Sequence, residues 1–158
     1  MNRRSKAGIG AILVLSLLFF FPLSLTEVSW GNHELFVRDS FSIEWIHSVE
    51  KEEWLEFYER KENELFLTKT QFKTYGAGVP SSGKTSLTPK GFVEVEVNRK
   101  MEELRLVVSP CVKSTMHLDN QDIYLYELAG PYEEVVIRPT RVPIYQYAIY
   151  LLTKEGLS

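Results

Sequence analysis

After a long apolar run at its start, the chain alternates apolar and polar residues, and that period of two predicts strands. Glu34 to Arg38 and Phe41 to His47 read as successive strands, parted by the turn signal Asp39-Ser40. In the second, Phe41, Ile43, Trp45 and His47 fall on one face, with Ser42, Glu44 and Ser48 on the other. Ile46 is the apolar exception on that outer face. Charged residues 50–53 form a turn, and Trp54 to Arg60 follows as a strand with Leu55 and Phe57 on one side. Lys61-Glu62-Asn63 is a hairpin tip from which Leu65 to Tyr75 returns. A helix over Trp45 to Tyr58, stacking Ile46, Val49 and Phe57, is the second reading; the aromatics and the flanking alternation favour strand.

Gly76 to Gly91 holds four glycines and two prolines and reads as a long loop. Phe92 to Val97 alternates cleanly, Asn98 to Glu102 is a turn, and Leu104 to Ser109 is a further strand. Ser114 to Leu118 and Ile123 to Leu128 flank another turn, and Glu134 to Arg138 follows Gly130-Pro131. Short strands with turn signals about every ten residues indicate an all-β fold, an antiparallel sandwich or a partly open barrel. The tail differs. Ile144, Tyr147, Ala148, Leu151 and Leu152 follow helical spacing after Pro143, so residues 143–154 form a short C-terminal helix or a last strand.

The start of the chain sets the compartment. Arg3, Arg4 and Lys6 precede an uncharged run from Ala7 to Leu25, 19 residues long. A hydrocarbon core roughly 30 Å thick needs about 20 apolar residues of helix, so the run suffices for a transmembrane helix. Ala7, Leu13, Leu17, Phe20 and Leu25 are the expected residues of that anchor. The cationic flank marks the cytoplasmic end. The exit Ser24-Leu25-Thr26 is a poor cleavage site, which favours a retained anchor over a cleaved signal peptide and a secreted product. The expected organisation is an anchor over residues 1–26 and a β-domain outside the cytoplasm over residues 27–158.

Charge narrows the partners. The whole chain carries a formal −3, and without the leader's Arg3, Arg4 and Lys6 the remainder carries −6. Nucleic acid, which is bound through phosphate attraction, is excluded as a partner. Cys111 is the single cysteine, so no intramolecular disulfide forms; at the end of an apolar run it reads as a small buried hydrophobe. Gly78 to Thr85 fits the spelling of a phosphate-binding loop, G-x-x-x-x-G-K-[ST]. That motif needs a helix directly after it, whereas this one runs on to Pro89, Gly91 and an alternating strand, so no nucleotide is expected.

The candidate site lies between Phe41 and Pro80. His47, Glu50 and Glu56 carry donors suited to a divalent cation, although their spacing matches no metal loop. The structural reading of His47 is a buried ring hydrogen-bonded to Ser48 or to backbone. Ser48 and His47 point to opposite faces of a strand and make no nucleophile–base pair. Gly76, Gly78 and Pro80 form either a sheet corner or a binding loop. No nucleophile, base and orienting group assemble from the spacing, so no catalytic activity and no cofactor are assigned.

Phe-x-Ile-x-Trp-Ile-His-Ser-Val-Glu-Lys, a Trp-x-Glu-x-Tyr segment, and Phe-x-x-Tyr-Gly-Ala-Gly-Val-Pro together resemble a family of unknown function, number 1850. The resemblance covers residues 41 to about 138 and makes His47, Ser48, Val49, Glu50, Glu56 and Gly76 to Pro80 the signature positions, with His117 a further one. Family members are small exported or membrane-anchored prokaryotic proteins, often found beside tripartite (TRAP) transporters of the TAXI type. The resemblance therefore implies an accessory partner of such a transporter, docking on its permease or solute receptor. The alternative is a module that binds a small ligand or a divalent cation.

Overall fold

The structure, a computed structural model, describes residues 16, 17 and 19–155. Among these the element order is β1 (Pro22–Trp30), β2 (His33–Val37), β3 (Phe41–Ile46), β4 (Glu53–Lys61), β5 (Glu64–Phe72), β6 (Thr85–Leu87), β7 (Val93–Met101), β8 (Leu104–Val107), β9 (Thr115–His117), β10 (Asp122–Tyr124), α1 (Leu125–Leu128), β11 (Glu134–Pro143) and α2 (Ile144–Glu155). The strands form two open sheets, ordered β2-β1-β11-β8 and β10-β9-β3-β4-β5-β7-β6. The β1–β2, β3–β4, β4–β5 and β5–β7 pairings are antiparallel. The all-β expectation holds, and the tail is a helix. The chain divides into two compact units, Thr26–Pro139 and a smaller one from both ends, Met1–Leu25 with Thr140–Ser158.

The larger sheet buries one face, and its register places the rows. Trp45, Trp54, Phe72 and Val93 stand opposite one another across β3, β4, β5 and β7. The next row is Ile43, Glu56, Thr70 and Val95; the one after is Phe41, Tyr58, Leu67 and Arg99. Trp54, Phe72 and Val95 form a buried cluster against which Trp45, Val79 and Val93 pack. The inward face of β4 is thus Trp54, Glu56 and Tyr58, not the expected Leu55 and Phe57. Direct pairing with buried Phe41 and Ile43 decides this, because one register sets the face of both strands. On the opposite face the Lys69 ammonium lies over the Phe57 ring at 4.6 Å and pairs with Glu94 at 2.9 Å.

β5 carries a bulge. Phe57 pairs with Lys69 but Tyr58 with Leu67, so Thr68 has no opposite residue on β4. On β7 the same step takes up Val97 and Asn98, the latter in the left-handed region at φ +50°. The extra residue switches the buried positions from odd (Leu65, Leu67) to even (Thr70, Phe72) within one strand. It also carries β7 past Val97 to Met101 and sets Arg99 opposite Leu67.

Three further expectations are corrected. The apolar run does not continue as helix to Leu25, because β1 begins at Pro22. Proline lacks an N–H and disfavours helical backbone at the residue before it, so Phe21-Pro22 ends the helical turn that the Phe20 amide closes on Ser16. Leu25, expected in the anchor, is 1 % exposed in β1, whereas Leu17 and Phe20 are exposed. Ala7 and Leu13 lie outside the described residues. Of the strand expected over 123–128, residues Leu125–Leu128 instead make one helical turn, burying Leu125 and Ala129. Cys111 is exposed, not buried. The chain turns after Ser109, whose carbonyl accepts the amides of Val112 and Lys113, and residue 111 is left at the tip.

Candidate functional site

The signature His47-Ser48-Val49-Glu50 is a turn capping β3. The His47 amide donates to the Glu52 carbonyl at 2.8 Å and the Lys51 amide to the His47 carbonyl at 3.0 Å, with Lys51 at φ +59°. The imidazole stacks on the Trp54 indole, 5.3 Å between centroids and 23° between planes. Its Nδ1 meets the Glu50 carboxylate. His47 is therefore held by a carboxylate, an indole and the backbone amide of Val49, which donates to Nδ1 at 3.4 Å, and not by Ser48. Ser48 and Val49 stand exposed at the tip.

The second signature segment folds back on the first. Glu50 lies so close to Gly76 that a Cβ there would sit 2.6 Å from the Glu50 carboxyl carbon, so only glycine fits without displacement. Two residues on, Gly78 has φ +88° and lies 4.0 Å from the far edge of the Trp54 ring, counted from where its Cβ would be. Val79 then packs on the Trp54–Phe72–Val95 cluster. His47, Glu50, Gly76, Gly78 and Val79 are thus gathered about one indole. The space beside His47 and Glu50 is about 10 Å³, no more than a water molecule occupies.

Room opens on the other side of the loop. An open cavity of about 510 Å³ is lined by Glu56, Gly78, Pro80, Ser81, Ser82 and Arg99, with Leu67 of the bulged strand in its wall. This lies within the usual size of small-molecule sites. Glu56 enters from the inward face of β4, between buried Trp54 and Tyr58. Burial holds its carboxyl above the ordinary carboxylate range, while the Tyr58 hydroxyl bond and the Arg99 charge pull the other way and do not cancel the shift. The Tyr58 hydroxyl donates to Glu56 Oε2. Desolvation, with the adjacent Glu56 carboxylate, pushes the Tyr58 phenol upward, so it remains a donor.

His117 stands apart. Its Nδ1 lies 2.7 Å from Asp122 and its Nε2 3.1 Å from Glu44, a ring clamped between two carboxylates across β9, β10 and β3. It borders a separate cavity of about 310 Å³ with Ser42 and Asp119. Among the described residues no group of three or more His, Cys, Asp or Glu is arranged to hold a metal ion. His47, Glu50 and Glu56, grouped in the sequence reading as cation donors, divide between the indole and the cavity.

The structure therefore unites Glu56, Gly78 and Pro80 at the open cavity and His47, Glu50 and Gly76 behind it, with Ser48 exposed and His117 elsewhere. Sequence reasoning missed Arg99, Ser81 and Ser82. The parity switch from Leu65 and Leu67 to Phe72 signals the bulge that places Arg99, but the pairing of β5 with β7 is needed to use it. The phosphate-loop spelling also has a structural account. Gly83 approaches β7 so closely that a Cβ would fall 2.8 Å from Val95 Cγ1, and Thr85–Leu87 is strand β6, not a helix.

A protein-family model described as "Domain of unknown function (DUF1850)" matches residues 41–125. No curated protein matches this chain, and no solved structure does.

Proposed function

From the premise that this chain belongs to the DUF1850 family, we propose that it is a ligand-binding module rather than an enzyme. It would be held at the membrane with its β-domain outside the cytoplasm, as an accessory of a TAXI-type TRAP transporter. The observation that carries the binding function is the convergence of Glu56, Gly78 and Pro80 with Arg99 around a cavity of about 510 Å³. A half-buried, partly desolvated carboxyl in the wall of an open cavity is costly to keep for stability alone, which favours a binding role. The supporting stack of Trp54, His47, Glu50 and Gly76 holds the loop, so the signature residues preorganise the wall.

We read the two sheets of Thr26–Pro139 as a sandwich, since Val28, Val135 and Ile137 are buried in one and Ile43, Tyr58 and Phe72 in the other. The membrane location rests on Arg3, Arg4, Lys6 and the apolar run after them. No described helix is long and apolar enough to cross a membrane. A cut at Ser24 to Thr26 would fall inside β1, next to buried Leu25, which supports retention of the leader. The TRAP association rests on the family resemblance, and confinement beside a permease would let a weak contact suffice. Exposed Val49 and Tyr75, flanking the Glu50–Gly76 contact in sequence, suit such a contact.

Thermal shift of the purified full-length protein against a library of small metabolites tests the binding function. A ligand specific for the folded state must raise the melting point, and a library that raises it nowhere refutes the reading. Alkaline extraction of membranes tests the anchor: release of the full-length chain to the supernatant refutes it. Co-purification with the permease or solute receptor tests the accessory role, and equal recovery of wild type and a Val49→Asp/Tyr75→Asp variant refutes the proposed contact.

A further inference from the structure

We propose that the ligand of the cavity beside the Gly76–Pro80 loop is a small carboxylate, gripped between the Arg99 guanidinium and the Glu56 carboxyl. This rests on the binding function proposed above and specifies its chemistry. Of the side chains lining the cavity, Arg99 is the one cation and Glu56 the one acid, and the other polar ones are Ser81, Ser82 and Asn98. Among the described residues no carboxylate lies within ion-pair distance of Arg99; Glu56 reaches it through space as a weaker, longer-range charge. A guanidinium presents a planar fork of donors matched to a carboxylate. That fork is free here, on the wall of an open space, while Lys69, Lys73 and Lys100, on or beside the same two strands, are tied to glutamates.

Glu56 completes the grip. Tyr58 donates to its Oε2, and Oε1 has no hydrogen-bond partner among the described residues. The groups facing it are Trp54 and Tyr58 along β4, Ile43 on β3, Thr70 on β5 and Arg99 on β7, so it is the single acid in its surroundings. Ionised, it would repel a bound anion. Protonated, it donates an O–H to that anion, a short charge-assisted bond in a partly desolvated site. Burial already favours the proton, and an anion between Glu56 and Arg99 favours it further. Carboxylate binding is then coupled to proton uptake at Glu56 wherever the free site is ionised, so affinity rises as pH falls, by at most about tenfold per unit. The serine hydroxyls supply further donors at the rim.

Isothermal titration of the purified full-length protein with acetate, succinate and citrate, against acetamide and succinamide, tests this. The acids are expected to bind at pH 7 and the amides not, with proton uptake read from the dependence of the heat on buffer ionisation enthalpy. Arg99→Gln should weaken binding of the acids roughly tenfold to hundredfold and Arg99→Lys much less. Both variants change an exposed residue, so an unchanged melting point confirms that they fold. Glu56→Gln should keep binding but lose its pH dependence and its proton uptake. Amides binding as well as the acids, or Arg99→Gln binding the acids unchanged, overturns the carboxylate assignment and leaves the cavity a ligand site. Acids that fail to bind while a neutral library compound raises the melting point do the same. Failure of the acids, the amides and the library together overturns the assignment and the binding function with it.

Discussion

Gly76 and Glu50 touch across the gap between the loop after β5 and the turn after β3, and the contact leaves no space for a side chain at residue 76. Gly76→Ala should therefore push the Glu50 side chain off its place and destabilise the protein by about 1 kcal/mol, the low end of overpacking, because the obstructing atoms end a flexible side chain. The Glu50→Ala background should absorb most of that loss, because the atom in the way is then gone. A double-mutant cycle by urea unfolding measures the coupling. Additive costs in the double variant would show that the two residues do not meet.

Glu56 should make stability depend on pH. Its carboxyl is raised in the folded state from an ordinary value of 4.5, chiefly by desolvation. The folded protein then holds the proton more tightly than the unfolded chain, so this group's contribution is complete below the unfolded value. It is lost as pH rises through the folded one. Glu56→Gln removes that titration while leaving Tyr58 an acceptor. Relative to wild type, the variant should melt higher at pH 7.5 than it does at pH 4. A wild-type–variant difference that does not change with pH would exclude a raised carboxyl at this position.

Phe72 is 1 % exposed at the centre of the Trp54–Val95 cluster, whereas Tyr75, three residues on, is 69 % exposed. Phe72→Ala should cost about 3–5 kcal/mol and Tyr75→Ala within about 0.5 kcal/mol. Urea midpoints with unchanged slopes measure both. A large loss at Tyr75 would mean that it is covered.

Cys111 sits exposed at the tip of the turn after Ser109. A maleimide should label the native protein to the same extent as the protein in urea. Labelling confined to the denatured protein would restore the burial first expected from its apolar neighbours.

Much of the larger sheet was legible residue by residue. The alternation Phe41-Ser42-Ile43-Glu44-Trp45 announced β3 and its buried face, and Lys61-Glu62-Asn63 announced the β4–β5 hairpin, because a turn signal between periodic runs is local information. Face selection on β4 was not legible. Either Leu55 with Phe57 or Trp54 with Tyr58 makes an apolar stripe, and only pairing with Phe41 and Ile43 chooses. Strand β1 stayed hidden because its first residues continue the apolar leader, where Pro22 was the one signal of a break.

The candidate site divides the same way. His47, Glu50, Glu56 and the Gly76–Pro80 segment could be picked out along the chain, since glycines and lone polar groups among aromatics are visible in one dimension. That Glu50 rests on Gly76, that Glu56 turns inward beside Tyr58, and that Arg99 joins it from 43 residues away could not. Sequence alone determined that the segments of β3, β4 and β5 become strands, since periodicity and turn chemistry act between near neighbours. Tertiary structure decided which groups share a cavity, because that depends on the register of three paired strands and on one bulged residue, Thr68, that shifts it.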